Sequence, residues 1–158
     1  GITLCGSSAG AIISLQADYY VSNRQVMSQI LPEGFKFAGI MSFAGGVFTT
    51  EPELCYRNSP APTLLCQGTK DLLVPYRQIV GVHSNFFGSN TVAKCFEENK
   101  YPLFIRRYKD KGHHVSGTYY ANLDLINWFI EQYVYARQPW EIDQMYDIPQ
   151  LPKQRFLK

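Results

Sequence analysis

Short apolar runs alternate with stretches of helical periodicity along this chain. Four runs read as strands: residues 2–5 (ITLC), 35–43 (FKFAGIMSF), 63–67 (TLLCQ) and 102–108 (PLFIRRY). The second is apolar at most positions, as strands buried on both faces of a parallel sheet are. Between the runs, residues 11–21, 91–99 and 119–136 read as helices. In the last of these, Leu123, Ile126, Ile130 and Tyr133 or Val134 fall on one helical stripe. Pro75 can open a helix at its first turn, and one is predicted over residues 76–82. Residues 47–60, punctuated by Pro52 and Pro60, read as a loop, as do residues 86–90 (FFGSN) and 109–114. Strands separated by helices predict an α/β architecture: a parallel, doubly wound sheet of about four strands flanked by helices. Ligands of such sheets bind beyond the carboxyl ends of the strands. The loops that follow Cys5, Gln67 and Tyr108 are therefore the places to look for chemistry. Residues 137–158 carry three prolines, four basic residues and no periodicity, and read as an extended C-terminal segment held by Trp140, Tyr146 and Phe156.

The first of those loops is Gly6-Ser7-Ser8-Ala9-Gly10, between a strand and a helix. It fits the nucleophile-elbow pattern G-x-S-x-G, with Ser8 at the centre. A chain that reverses from strand to helix in so few residues brings backbones together and strains the central residue. Glycines two positions either side leave room, since they have no Cβ, and the strain lifts the serine Oγ clear of the sheet. The same five residues also fit a plain tight turn, or a phosphate-binding turn at a helix N-terminus.

Composition narrows the classes. The chain has 158 residues, room for one domain with a sizeable core. Its hydrophobic fraction of 46% and charged fraction of 18% are those of a globular protein. A net charge of +2 gives no electrostatic case for nucleic acid or an anionic membrane surface. No apolar run approaches the ~20 residues that span a bilayer. Cys5, Cys55, Cys66 and Cys95 show no C-x-x-C spacing, which argues against zinc and thioredoxin-like sites. Cys5 and Cys66 lie in apolar strands and read as small buried hydrophobes. Cys55 and Cys95 lie in polar surroundings and can pair if the protein is exported. Gly1 opens directly onto a strand without an initiator Met, so the chain reads as the middle of a longer one.

A serine hydroxyl is a poor nucleophile near neutral pH. It needs an imidazole to take its proton and a carboxylate to orient that imidazole. The second loop offers Asp71, which taken alone is a turn residue or helix N-cap. The third offers His113 and His114, adjacent residues that point different ways, so only one can reach Ser8. Asp110 lies too close in sequence to that base to oppose it. His83 lies away from any strand end and reads as structural or exposed. Glu33, Glu51 and Glu53 read as solvated, and Phe86, Phe87, Tyr119 and Tyr120 as packing residues.

GSSAG, QGTKDLLVPY and YKDKGHHV, in that order, resemble the C-terminal half of an α/β-hydrolase of the esterase/lipase type. FAGIMSFAGGVF resembles the strand that follows the nucleophile helix in bacterial esterases of that type. The resemblance covers residues 1–136, which it makes the C-terminal part of an incomplete α/β-hydrolase catalytic domain. It implies Ser8 as nucleophile, Asp71 as acid and His113, from the G-H pair, as base, with the Ala9 N–H in the oxyanion hole. Gln67 stands where the family usually has a histidine that is not catalytic. The function implied is hydrolysis of a small-molecule carboxylic ester through an acyl-enzyme, with no cofactor and no metal. Serine peptidases of the prolyl-oligopeptidase type share this half of the fold, and a non-catalytic binding module is the other alternative. The earlier half of the family's sheet, with its H-G-G-G-type oxyanion loop, is missing here. The nucleophile strand is therefore expected at an exposed edge, and the chain alone is expected to be inactive or weakly active.

Overall fold

A period of two decides which way the strand residues face. Along β2 (Gly39–Phe43), Ile40 enters one apolar cluster while Met41 and Phe43 enter another. Along β4 (Thr63–Gly68), Leu65 joins the first and Leu64 and Cys66 the second. β7 (Leu103–Tyr108) divides Leu103 and Ile105 from Phe104 and Tyr108 in the same way. The two clusters are thus the two faces of one sheet. α1 (Ala9–Ser22) and α2 (Ser89–Glu98) cover the first face through Leu15, Tyr19, Val92, Ala93 and Phe96. α3 (Leu123–Phe129) and the π-helical turns that continue it (Ile130–Tyr135) cover the second through Leu125, Phe129 and Tyr133. In this computed structural model, residues 1–24 and 30–150 are described.

The main sheet has five strands in the order β1-β2-β4-β7-β8, where β1 is Thr3–Ser7 and β8 is Glu141–Tyr146. All four pairings are parallel, so the α/β class and the parallel sheet stand as expected. β1 lies at one edge, paired only with β2. A second, antiparallel sheet of β3 (Gly46–Thr49), β6 (Asn85–Gly88) and the two-residue β5 (Gln78–Ile79) lies beside α1 and α2.

Several expectations need correction. Within the C-terminal segment, Glu141–Tyr146 is a fifth strand of the sheet rather than unpaired extended chain. β7 holds it with Arg106 Nε on Gln144 Oε1 and Arg107 Nε on Asp143 Oδ1, each at 2.7 Å. Phe156 lies outside the described residues. No helix forms over residues 76–82; Gln78 and Ile79 pair instead with Phe87 and Phe86. Residues 86–90 are not a loop, because Phe86 and Phe87 are both buried within β6. Residues 47–49 belong to β3 rather than to a loop. Only Gly39–Phe43 of the 35–43 run enters the sheet, while Phe35 and Phe37 pack edge-to-face on each other outside it, 5.1 Å apart. The 119–136 helix is three segments, with 3₁₀ turns (His113–Asn122) leading into α3 and π turns following it. Cys5 is exposed rather than buried, because β1 has no neighbour on its outer side. Cys55 and Cys95 are free thiols, one exposed and one buried.

Candidate active site

The turn between β1 and α1 places Ser8 at φ 53° and ψ −116°, a conformation side chains rarely adopt. Two features hold it there. The Ser8 N–H donates to the Phe43 carbonyl at the end of β2 (2.9 Å), and α1 begins at once, with Ile12 N–H donating to the Ser8 carbonyl (3.0 Å). The crowding argument applies to one flanking glycine and not the other. A Cβ on Gly6 would lie 2.1 Å from the Gly10 carbonyl oxygen and 2.6 Å from Ala11 N, while a Cβ on Gly10 would meet nothing within 4 Å.

His113 starts the 3₁₀ segment that follows β7. In the sheet, β7 is three places from β1, about 14 Å at the usual strand spacing. The segment closes that gap by folding back over the ends of β4, β2 and β1. Ser7 Oγ donates to the Ser116 carbonyl (2.6 Å) and ties the first turn of the segment to the turn that holds Ser8. His113 Nε2 then lies 2.9 Å from Ser8 Oγ. His114 is exposed and takes no part.

Asp71 sits in the loop after β4. Its Oδ2 is 2.9 Å and its Oδ1 3.2 Å from His113 Nδ1. Oδ1 also accepts the backbone N–H groups of Leu73 and Val74, both at 3.0 Å, in an Asx-type turn. The turn role and the carboxylate's position beside the imidazole are therefore one arrangement. The loops that carry Asp71 and His113 touch through their backbones. Lys70 N–H donates to the Lys111 carbonyl (2.9 Å), and a Cβ on Gly68 would lie 2.2 Å from that same oxygen. Asp110 is exposed and paired with Lys70 at 2.9 Å, away from the imidazole. His83, Glu33, Glu51 and Glu53 are exposed, Phe86 and Phe87 are core residues, and Tyr119 stacks beside Tyr120.

The three residues singled out from the sequence thus converge from three separate loops at the carboxyl end of the sheet. Asp71, 4% exposed, can hold the Nδ1–H tautomer of His113, leaving Nε2 to accept the Ser8 proton. Ala9 is the first residue of α1, so its N–H has no acceptor within the helix and adds to the positive end of the helix dipole. Two contributors were not anticipated. Ser7 carries no sequence signal of its own, because the second serine of GSSAG is the one that fits the motif. Gln67 carries only a weak sequence signal, a polar residue closing an otherwise apolar strand. Its side chain is fully buried, with Nε2 3.2 Å from Asp71 Oδ2. Among the described residues, no group of acidic, histidine or cysteine side chains could hold a metal ion. No described helix is long and apolar enough to cross a membrane. No protein-family model matches this chain, and no curated protein matches it in sequence.

Proposed function

We propose that this chain belongs to an α/β-hydrolase-type serine hydrolase and carries its nucleophile, base and acid for the cleavage of carboxylic esters. One observation carries the reading: the unbroken series Ser8 Oγ, His113 Nε2, His113 Nδ1, Asp71 Oδ2, with a 2.9 Å step at each hydrogen bond. Ser8 Oγ attacks the ester carbonyl while its proton passes to His113 Nε2. The Ala9 N–H donates to the oxyanion that forms. Collapse of the tetrahedral intermediate breaks the bond to the alkoxide, which takes the proton from His113, and leaves an acyl group on Ser8. Water then repeats the sequence, losing a proton to His113 and releasing the acid. Asp71 stays ionised throughout and stabilises the imidazolium. Leu72 and Leu73, 90% and 76% exposed, put apolar surface on the acid loop, which suits an apolar ester better than a charged substrate.

The test is covalent labelling with a fluorophosphonate probe, with the adduct located by mass spectrometry. Labelling at Ser8 that is lost in Ser8→Ala and in His113→Ala supports the reading. A folded protein that labels equally well in Ser8→Ala, or that stays unlabelled when the full catalytic domain is present, overturns it.

A further inference from the structure

We infer that Gln67 is a positioning residue for the acid, acting on the site through Asp71; the inference rests on the hydrolase reading above. Gln67 is the penultimate residue of β4, and its side chain is fully buried among groups that fix which way its amide points. Nε2 donates to the Val74 carbonyl (2.7 Å), which can only accept. Oε1 accepts the Ser89 N–H (3.4 Å), which can only donate and which belongs to the open first turn of α2. With both ends fixed, the remaining Nε2–H points at Asp71 Oδ2 at 3.2 Å. That is the oxygen closest to His113 Nδ1.

The consequence is a division of labour on one carboxylate. Leu73 N–H and Val74 N–H hold Oδ1, and Gln67 Nε2 and His113 Nδ1 share Oδ2. The carboxyl plane cannot turn without breaking a bond at each oxygen. Asp71 is 4% exposed, so water does not replace a lost donor at no cost. Gln67 supplies its hydrogen bond with no charge and no proton of its own to lose. The carboxylate is therefore held by a neutral donor that adds no charge beside His113. The other charged groups on these loops are paired or exposed: Lys70 pairs with Asp110, Lys109 with Asp147, Lys111 Nζ donates to the Pro149 carbonyl, and His114 is exposed.

Two variants test this, each first checked for cooperative urea unfolding. Gln67→Met keeps length and removes the donor, and its fluorophosphonate labelling rate is expected to fall about tenfold. Gln67→Glu keeps shape and sets a second carboxyl against Asp71. Two carboxyls so placed titrate as a pair. The pH profile of labelling should then gain an ionisation between pH 5 and 9 that the parent lacks. An NMR titration of the His113 ring should show the same added step. A residue that merely fills space would lower stability and leave the labelling rate of folded Gln67→Met at the parent's, and that result overturns the proposal, as do Gln67→Glu pH curves that superimpose on the parent's. The NMR arm separates the two readings. If the parent never labels but Gln67→Glu still alters the His113 titration, the hydrolase reading fails while the coupling of Gln67 to the acid stands.

Discussion

The two glycines of GSSAG should behave in opposite ways, although the motif treats them alike. A Cβ on Gly6 would lie 2.1 Å from the Gly10 oxygen, 2.2 Å from its carbonyl carbon and 2.6 Å from Ala11 N. Ordinary contact begins near 3.4 Å, so the first turn of α1 must retreat by about 1.3 Å. All three atoms are backbone, and no rotamer change relieves them. Overpacking of this kind costs about 1–3 kcal/mol, and a backbone clash belongs at the upper end. The larger effect is on the site, because Ser8 is the residue caught between β1 and that turn. A misplacement of about 1 Å can cost a hundredfold in rate, so Gly6→Ala should label with fluorophosphonate at least about a hundredfold more slowly per folded molecule. Gly10 lies in the helix and a Cβ there meets nothing within 4 Å. Gly10→Ala should therefore stabilise the chain by about 0.5–1 kcal/mol through helix propensity, and label at close to the parent rate. Urea unfolding supplies the stabilities and labelling the site geometry. If Gly10→Ala labels as poorly as Gly6→Ala, or if Gly6→Ala labels normally, the crowding argument is wrong.

The base assignment predicts that His113→Ala abolishes labelling while His114→Ala, at an exposed position, stays within about twofold of the parent; the reverse pattern would exchange their roles. Asp71→Asn should lower ester turnover by about 10³–10⁴ while the chain stays folded, and wild-type turnover would remove the acid from the scheme. Burial pushes the Asp18 carboxyl up to about 6, with the Ala61 N–H and Lys36 opposing that rise only in part. The folded chain thus binds this proton more tightly than the unfolded chain, where the value is about 3.9. Its contribution to stability is fully present below about pH 4 and is lost as pH rises through about 6, a swing of about 3 kcal/mol. Asp18→Asn should match the parent in urea unfolding at pH 4 and exceed it at pH 8, and a difference independent of pH would refute the burial argument. Thiol titration of the native chain should count Cys5 and Cys55 only, since Cys66 and Cys95 are buried with thiols pushed up to about 12 and about 11. All four should react in denaturant.

The parts of this fold that could be read from the sequence are those where one local cause dominates. Residues 63–67 and most of 103–108 are strands because they are buried, and residues 2–5 and 11–21 flank a turn with room for only one continuation. The convergence of Ser8, Asp71 and His113 was legible because a parallel sheet delivers the loops after its strands to one end. What failed to show depended on distant partners. In Glu141–Tyr146, Gln144 faces inward to meet Arg106 while Met145 is 57% exposed, so the period-two pattern that marks a strand is broken at the positions where β7 sets the pairing. The helix suggested by Pro75 loses to β6, whose Phe86 and Phe87 pair with Ile79 and Gln78. Gln67 could be seen as a departure from a familiar pattern. Only the position of Asp71 Oδ2 shows what it faces.

The way His113 reaches Ser8 also bears on how the chain folds. Residues 105 apart in sequence meet only after β2, β4 and β7 have paired and the 3₁₀ segment has crossed their ends. Little local structure near either residue can assemble the site early, since such long-range closure is slow relative to helix formation. If Ser8 reacts as proposed, it should thus become reactive at the last stage of refolding. A reagent that marks Ser8 then serves as a clock for completion of the sheet, and its signal should lag behind the return of helical circular dichroism.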